Sequence, residues 1–175
     1  MQFDIQECVL NGGWELLDKN QVDLVIGVPG PVPKQKGYRA ESIGTSDFSL
    51  VVAANHPLAD QLQTDNNTHL LPQLRRVVLH DTSQTEITRS EGLSEEGDIF
   101  YVHTMEQKVT AILAGIGAGF ITRHKVQQYL DSGQIIAVNT GEIMVNDDYL
   151  VWKLTNKGKG LNELTKMLVN SLSKT

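Results

Sequence analysis

The sequence predicts an α/β fold of two small lobes joined by a pair of crossing segments, and three observations carry that expectation. The stretch from Tyr101 to Val138 alternates strand, helix, glycine-rich turn, strand, helix and strand. Val22–Ile26 and Phe48–Ala53 are short runs rich in apolar and β-branched residues, as in strands buried within a sheet. The chain passes from one α/β segment into another near Ser49–Ala54 and returns near Asp147–Lys153, which would form a paired hinge. Lobe I then comprises residues 1–47 and 148–175, and lobe II residues 48–147. A single continuous sheet is the alternative. A crevice between lobes would bind a ligand, because two sets of strand ends converge there.

In chain order, Phe3 and Ile5 alternate with polar neighbours like a strand, which Asn11-Gly12-Gly13 breaks. Trp14, Leu16 and Leu17 open a short helix ending near Asn20. Val22–Ile26 follows as a strand covered on both faces in a parallel sheet, and Gly27 to Pro33 as a rigid Pro/Gly-rich loop. Tyr38–Ile43 reads as an edge strand and Phe48–Ala53 as a separate, buried one. Asn55-His56-Pro57-Leu58-Ala59 starts a helix with proline in its first turn, where its missing N–H costs nothing. Gln61–His69 is polar loop, Val77–Leu79 a strand, and Gln84–Asp98 a surface excursion. Thr104 with Gln107 makes a capping box for a helix whose apolar face is Met105, Val109, Ile112, Leu113 and Ile116. Gly115, Gly117 and Gly119 close it and lead into the strand at Phe120 and Ile121. Thr122 caps the next helix, Gly133 fits its left-handed end, and Gln134–Val138 is a strand. Tyr149–Leu154 is a strand, and Leu161, Leu164, Leu168 and Leu172 stripe a final helix.

Composition narrows the function. Of 175 residues, 40% are hydrophobic and 21% charged, which is globular rather than disordered or fibrous. The net charge is −6 with no run of Lys or Arg, so this chain is poorly suited to neutralising phosphates and holding DNA by itself. Cys8 is the single cysteine, which excludes an internal disulfide and suits a cytoplasmic protein. Residues 1–10 lack the features of a signal peptide. No apolar run approaches the roughly 18 residues that span a membrane.

The glycines at 115, 117 and 119 do not make a dinucleotide fingerprint, which needs a strand before the glycines and a helix after them. Here the order is reversed, so helix exit and close packing explain them. His80-Asp81-Thr82-Ser83 holds an acid, a base and hydroxyls, but neighbours in sequence cannot all point at one another as a triad does. They read as a turn or as the polar lining of a crevice. His56, His69, His80, His103 and His124 show no zinc spacing, and no metal or cofactor is expected.

Taken together, Asn11-Gly12-Gly13-Trp14-Glu15-Leu16-Leu17, then Asp23-Leu24-Val25-Ile26-Gly27, resemble the first lobe of the effector-binding domain of LysR-type transcriptional regulators. Phe48–Ala53 with His56-Pro57-Leu58-Ala59 resembles that family's hinge strand, and Ala114–Ile121 its passage from helix through glycines to strand. The resemblance covers nearly the whole chain. It implies two Rossmann-like lobes of the type 2 periplasmic-binding-protein kind, and a cytoplasmic receptor rather than an enzyme. It also implies that the first lobe is incomplete, lacking the family's first strand and helix as well as its winged helix-turn-helix. Such a lobe would be completed by a partner chain or by non-native pairing. Carried over by position, effector contacts fall at Val28, Pro29, Asp81, Thr82, Ser83, His103, Thr104 and Thr122. A carboxylate-bearing small molecule would suit the helix start at Thr104 and Met105. Met105, Val109 and Ile112 would contribute to a homodimer or tetramer, as an apolar patch exposed or re-paired, with DNA contacted only through the missing head. The other readings are a solute-binding protein of a transport system and, behind it, a small α/β enzyme.

Overall fold

The computed structural model describes residues 2–32, 37–64, 67, 69–83, 98–141 and 144–172. Of the surface excursion expected at Gln84–Asp98, only Asp98 lies among these. Contacts divide the chain into two compact α/β units. One comprises Met1–Ser46, Asp81–Arg89 and Asn146–Thr175, the other Asp47–His80 and Ser90–Val145.

In the first unit the strand expected around Phe3 and Ile5 does not form. Those side chains are 58% and 91% exposed, and residues 2–9 have no regular structure. Alternation makes a strand only where a neighbouring edge takes up its backbone groups, and none does so among the described residues. Helix α1 (Gly12–Asp18) buries Trp14 and Leu17 and begins two residues before Trp14. It closes through Asn20, which takes the left-handed φ of 55° while Gln21 N–H donates to Leu16 O at 2.9 Å.

Strand β1 (Val25–Pro29) starts later than the sequence pattern indicates, because Asp23 interrupts the apolar run. It pairs antiparallel with β7 (Met144–Lys153), and Ile26 is 53% exposed. The expectation of a parallel strand covered on both faces is therefore corrected: β1 is the outermost strand of its sheet. It runs through a bulge at Gly27 to Pro29, positions expected as loop, since a proline on an edge forfeits no ladder bond. The two strands expected at Tyr38–Ile43 and Phe48–Ala53 are one, β2 (Tyr38–Ala53), which accommodates Gly44 within it. Along β7, Val151 joins Trp14, Leu17, Val25 and Val28 on one face. Leu150 and Trp152 pack on the other against Leu161 of α5 (Lys159–Leu172). Alternate residues of one strand thus anchor two helices.

In the second unit, Phe48–Val51 of β2 pair antiparallel with β5 (Gly119–Thr122), and Val51–Ala53 with β6 (Ile135–Ala137). Strand β3 (Arg76–Leu79) runs parallel to β4 (Ile99–Val102). The helix expected from Asn55 is reduced to α2 (Ala59–Leu62), with turns occupying the positions around Pro57. A short 3-10 turn at Leu71–Gln73 lies beyond the expected loop. Leu50, Val52, Leu62, Leu70, Leu74, Ala118 and Val138 form one core cluster. Helices α3 (Met105–Leu113) and α4 (Arg123–Asp131) end at Gly115 and Gly133, both at positive φ.

The face of α3 that packs inward differs from the one read off its apolar residues. Lys108, Ala111 and Ile112 are its buried side chains, and Lys108 is only 1% exposed. Room for them comes from the glycines. A Cβ on Gly119 would stand 3.0 Å from Ile112 Cδ1 and 3.1 Å from Lys108 Cε. A Cβ on Gly117 would stand 2.3 Å from Arg75 O, so this glycine is required by a backbone contact.

One proton-linked effect arises beside α2. Leu58 N–H donates to His56 Nδ1 at 3.2 Å, and partial burial holds this imidazole below its ordinary pKa of 6.5. A depressed histidine pKa means that the unfolded chain binds the proton more readily. The contribution is therefore complete above the ordinary value and lost as pH falls through and below it. The melting temperature of wild type is expected to fall more between pH 7.5 and 5.5 than that of His56→Gln; equal falls would remove His56 from the account.

Candidate functional site

In the first unit the segment after β3 is fastened to the residues ahead of α1. Thr82 Oγ1 accepts from Val9 N–H at 2.9 Å and donates to Val9 O at 3.1 Å. The Thr82 hydroxyl, a candidate ligand contact from sequence, is thus engaged by backbone. Asp81 is buried, and its Oδ1 accepts from Ser83 N–H at 2.9 Å, an Asx turn that orients Ser83. Ser83 Oγ is buried and has no hydrogen-bond partner among the described residues. Val28 lies in the apolar cluster with Trp14 and Leu17, which places it in the core rather than in a loop. Pro29 is half-buried at the end of β1, opposite Asp148.

In the second unit His103 and Thr104 are exposed at the start of α3. Thr104 Oγ1 accepts from Gln107 N–H at 3.1 Å, the capping bond the sequence indicates. The return bond goes one residue further back than in the usual box, from His103 N–H to Gln107 Oε1 at 2.9 Å. The His103 ring stacks on His80, with centroids 5.5 Å apart, and His80 meets the edge of Tyr101 at 5.6 Å. That cluster was not legible from sequence, because it needs the parallel pairing of β3 with β4 to bring the strand ends together.

Thr122 occupies the N-cap of α4 but makes no capping bond there. Its hydroxyl is buried and unpartnered among the described residues. A buried hydroxyl left without a partner costs about 1–3 kcal/mol, so Ser83 and Thr122 each call for a group to meet them. Of the residues assigned to an oligomer contact, Ile112 is buried in its own unit, while Met105 and Val109 are half-buried. Of the patch expected around Val109 and Ile112 as exposed or re-paired, exposure is corrected at Ile112, which α3 turns toward Gly119.

Other chemistry is sparse. Among the described residues no three His, Cys, Asp or Glu side chains gather as metal ligands. Burial pushes the Cys8 thiol above its ordinary pKa of 9.0, and Glu7 adds to the shift, so thiolate is disfavoured. No helix among the described residues is long and apolar enough to cross a membrane.

A family model described as LysR substrate binding domain matches residues 1–172. The HTH-type transcriptional regulator PunR of Escherichia coli (strain K12) is 32% identical over 132 residues, covering 74% of this chain and 42% of that protein. The chain spans about half the length of the curated relatives it matches, from 41% to 54%. Among solved structures, the regulatory domain of HypT from Salmonella typhimurium aligns over 95% of this chain and 80% of its own, with TM-score 0.67 at 14% identity. Full-length LysG from Corynebacterium glutamicum with bound effector Arg aligns over 92% of this chain and 55% of its own, with TM-score 0.62 at 18% identity. At these identities the structural likeness speaks for the fold alone.

Proposed function

The chain belongs to the LysR substrate-binding domain family, and from that premise we propose that it senses a small-molecule effector without transforming it. The observation that supports a binding role is that two buried hydroxyls have no partner among the described residues, Ser83 in one unit and Thr122 in the other. Asp81 and Pro29 are the further candidates in the unit of Ser83, and His103 and Thr104 those in the unit of Thr122, while Thr82 holds its segment in place. Val28 belongs to the apolar core of the first unit. An effector that favours one arrangement of the protein over another shifts its population by the difference in affinity. In a DNA-bound homodimer or tetramer in the cytoplasm that difference would become a change in the geometry of the DNA-binding parts. An acidic chain with no basic run agrees with leaving DNA contact to another segment.

A thermal-shift screen tests this reading, with amino acids first because a LysG structure holds arginine. At least one small carboxylate is expected to raise the melting temperature, since a ligand at a hundred times its Kd adds about 2.7 kcal/mol of stability. Ser83→Ala should weaken the same compound about tenfold, the equivalent of one hydrogen bond. A library of metabolites that leaves the melting temperature unchanged would remove the sensing role.

A further inference from the structure

Helix α4, in the second unit, starts without a side-chain capping bond. Thr122 stands at the N-cap, its side chain is 8% exposed, and its hydroxyl has no partner among the described residues. The first turn carries Arg123, His124 and Lys125 and no acid. Helix α3 offers the contrast: its N-cap Thr104 is bonded to Gln107 N–H, and Glu106 stands in its first turn. A helix N-terminus already bears partial positive charge, so the Arg123 and Lys125 cations there oppose the helix unless an anion is close. Arg123 Nε donates to Gln127 Oε1 at 3.3 Å, which keeps that guanidinium along the helix, while His124 and Lys125 are exposed.

We propose that the N-terminus of α4 together with Thr122 is an oxyanion site, taking a carboxylate, phosphate or sulfate group. The hydroxyl donates to one oxygen, and first-turn amides that have no acceptor within the helix donate to the others. One ligand thereby meets the buried hydroxyl and offsets the basic turn. The proposal rests on the effector reading only in identifying this oxyanion as the effector's own anionic group; binding of an inorganic anion here does not depend on it.

The probes are inorganic sulfate and phosphate, titrated at constant ionic strength against chloride, with amide chemical shifts and melting temperature as readouts. Saturable shifts confined to the amides of Arg123–Val126 are expected, with stabilisation beyond the chloride control. Thr122→Val should weaken the anion about tenfold and Thr122→Ser by less than about twofold. The site is overturned by equal anion affinity in wild type and Thr122→Val, by shifts centred on another element, or by a response no greater than chloride gives. If anions bind at α4 while no metabolite binds anywhere, the effector reading fails and the site stands. A metabolite that binds with no anion response at α4 has the opposite meaning.

Discussion

Gly117→Ala is expected to lower the stability of the protein by about 3 kcal/mol or more, or to prevent the second unit from folding. The new Cβ would lie 2.3 Å from Arg75 O and 2.9 Å from the carbonyl carbon, and both atoms are backbone. They cannot withdraw cheaply. Ala118 N–H donates to that same Arg75 O at 2.8 Å, and Val77 N–H donates to Ala118 O at 2.7 Å. These two bonds hold the beginning of β5 beside β3, so relief of the clash would unzip the join. Gly119→Ala should be milder, about 1–2 kcal/mol, because two of its neighbours, Ile112 Cδ1 and Lys108 Cε, are ends of side chains that can shift. Urea denaturation midpoints decide the matter. A wild-type midpoint for Gly117→Ala would mean that the glycines do not serve close packing.

What was legible in the sequence is local. The capping bond at Thr104, the helix exit at the glycines from Gly115, the left-handed end at Gly133, and the strand after the glycines each depend on a few neighbouring residues. The features that were hidden depend on partners distant in the chain. Lysine is usually exposed, and the burial of Lys108 requires the space that Gly119 leaves. A signal was nonetheless available, since Lys108, Ala111 and Ile112 share one helix face opposite a run of glycines. The alternation at Phe3 and Ile5 indicated a strand that does not form, because a pattern cannot supply the edge that would pair with it. Likewise Val28 looked like part of a loop because Gly27 and Pro29 flank it; only the antiparallel register with β7 makes it a core residue. The candidate site divides the same way. Its residue types could be chosen from the chain, but which hydroxyls are engaged and which are orphaned is decided by contacts such as that of Thr82 with Val9, 73 positions apart.

That long-range contact yields the second large effect. Gly12→Ala is expected to destabilise by about 2 kcal/mol, although alanine within a helix normally gains up to about 1 kcal/mol over glycine. The added Cβ would stand 1.9 Å from Thr82 Oγ1, and that oxygen is held in place by its bonds to Val9 N–H and Val9 O. Thr82→Ala should itself cost about 1–3 kcal/mol, since it leaves the Val9 amide of a buried residue without that acceptor. The two losses must not add. Once the hydroxyl is gone, the alanine at position 12 meets little resistance, so the double variant should be close to Thr82→Ala alone. Strictly additive losses would show that the clash lies elsewhere. The same variants bear on binding. Ser83 follows Thr82 directly, so loosening the clamp should weaken effector binding in Thr82→Ala even without a contact between Thr82 and the ligand. Gly12→Ala should produce part of that weakening, because its Cβ displaces the same Thr82 hydroxyl.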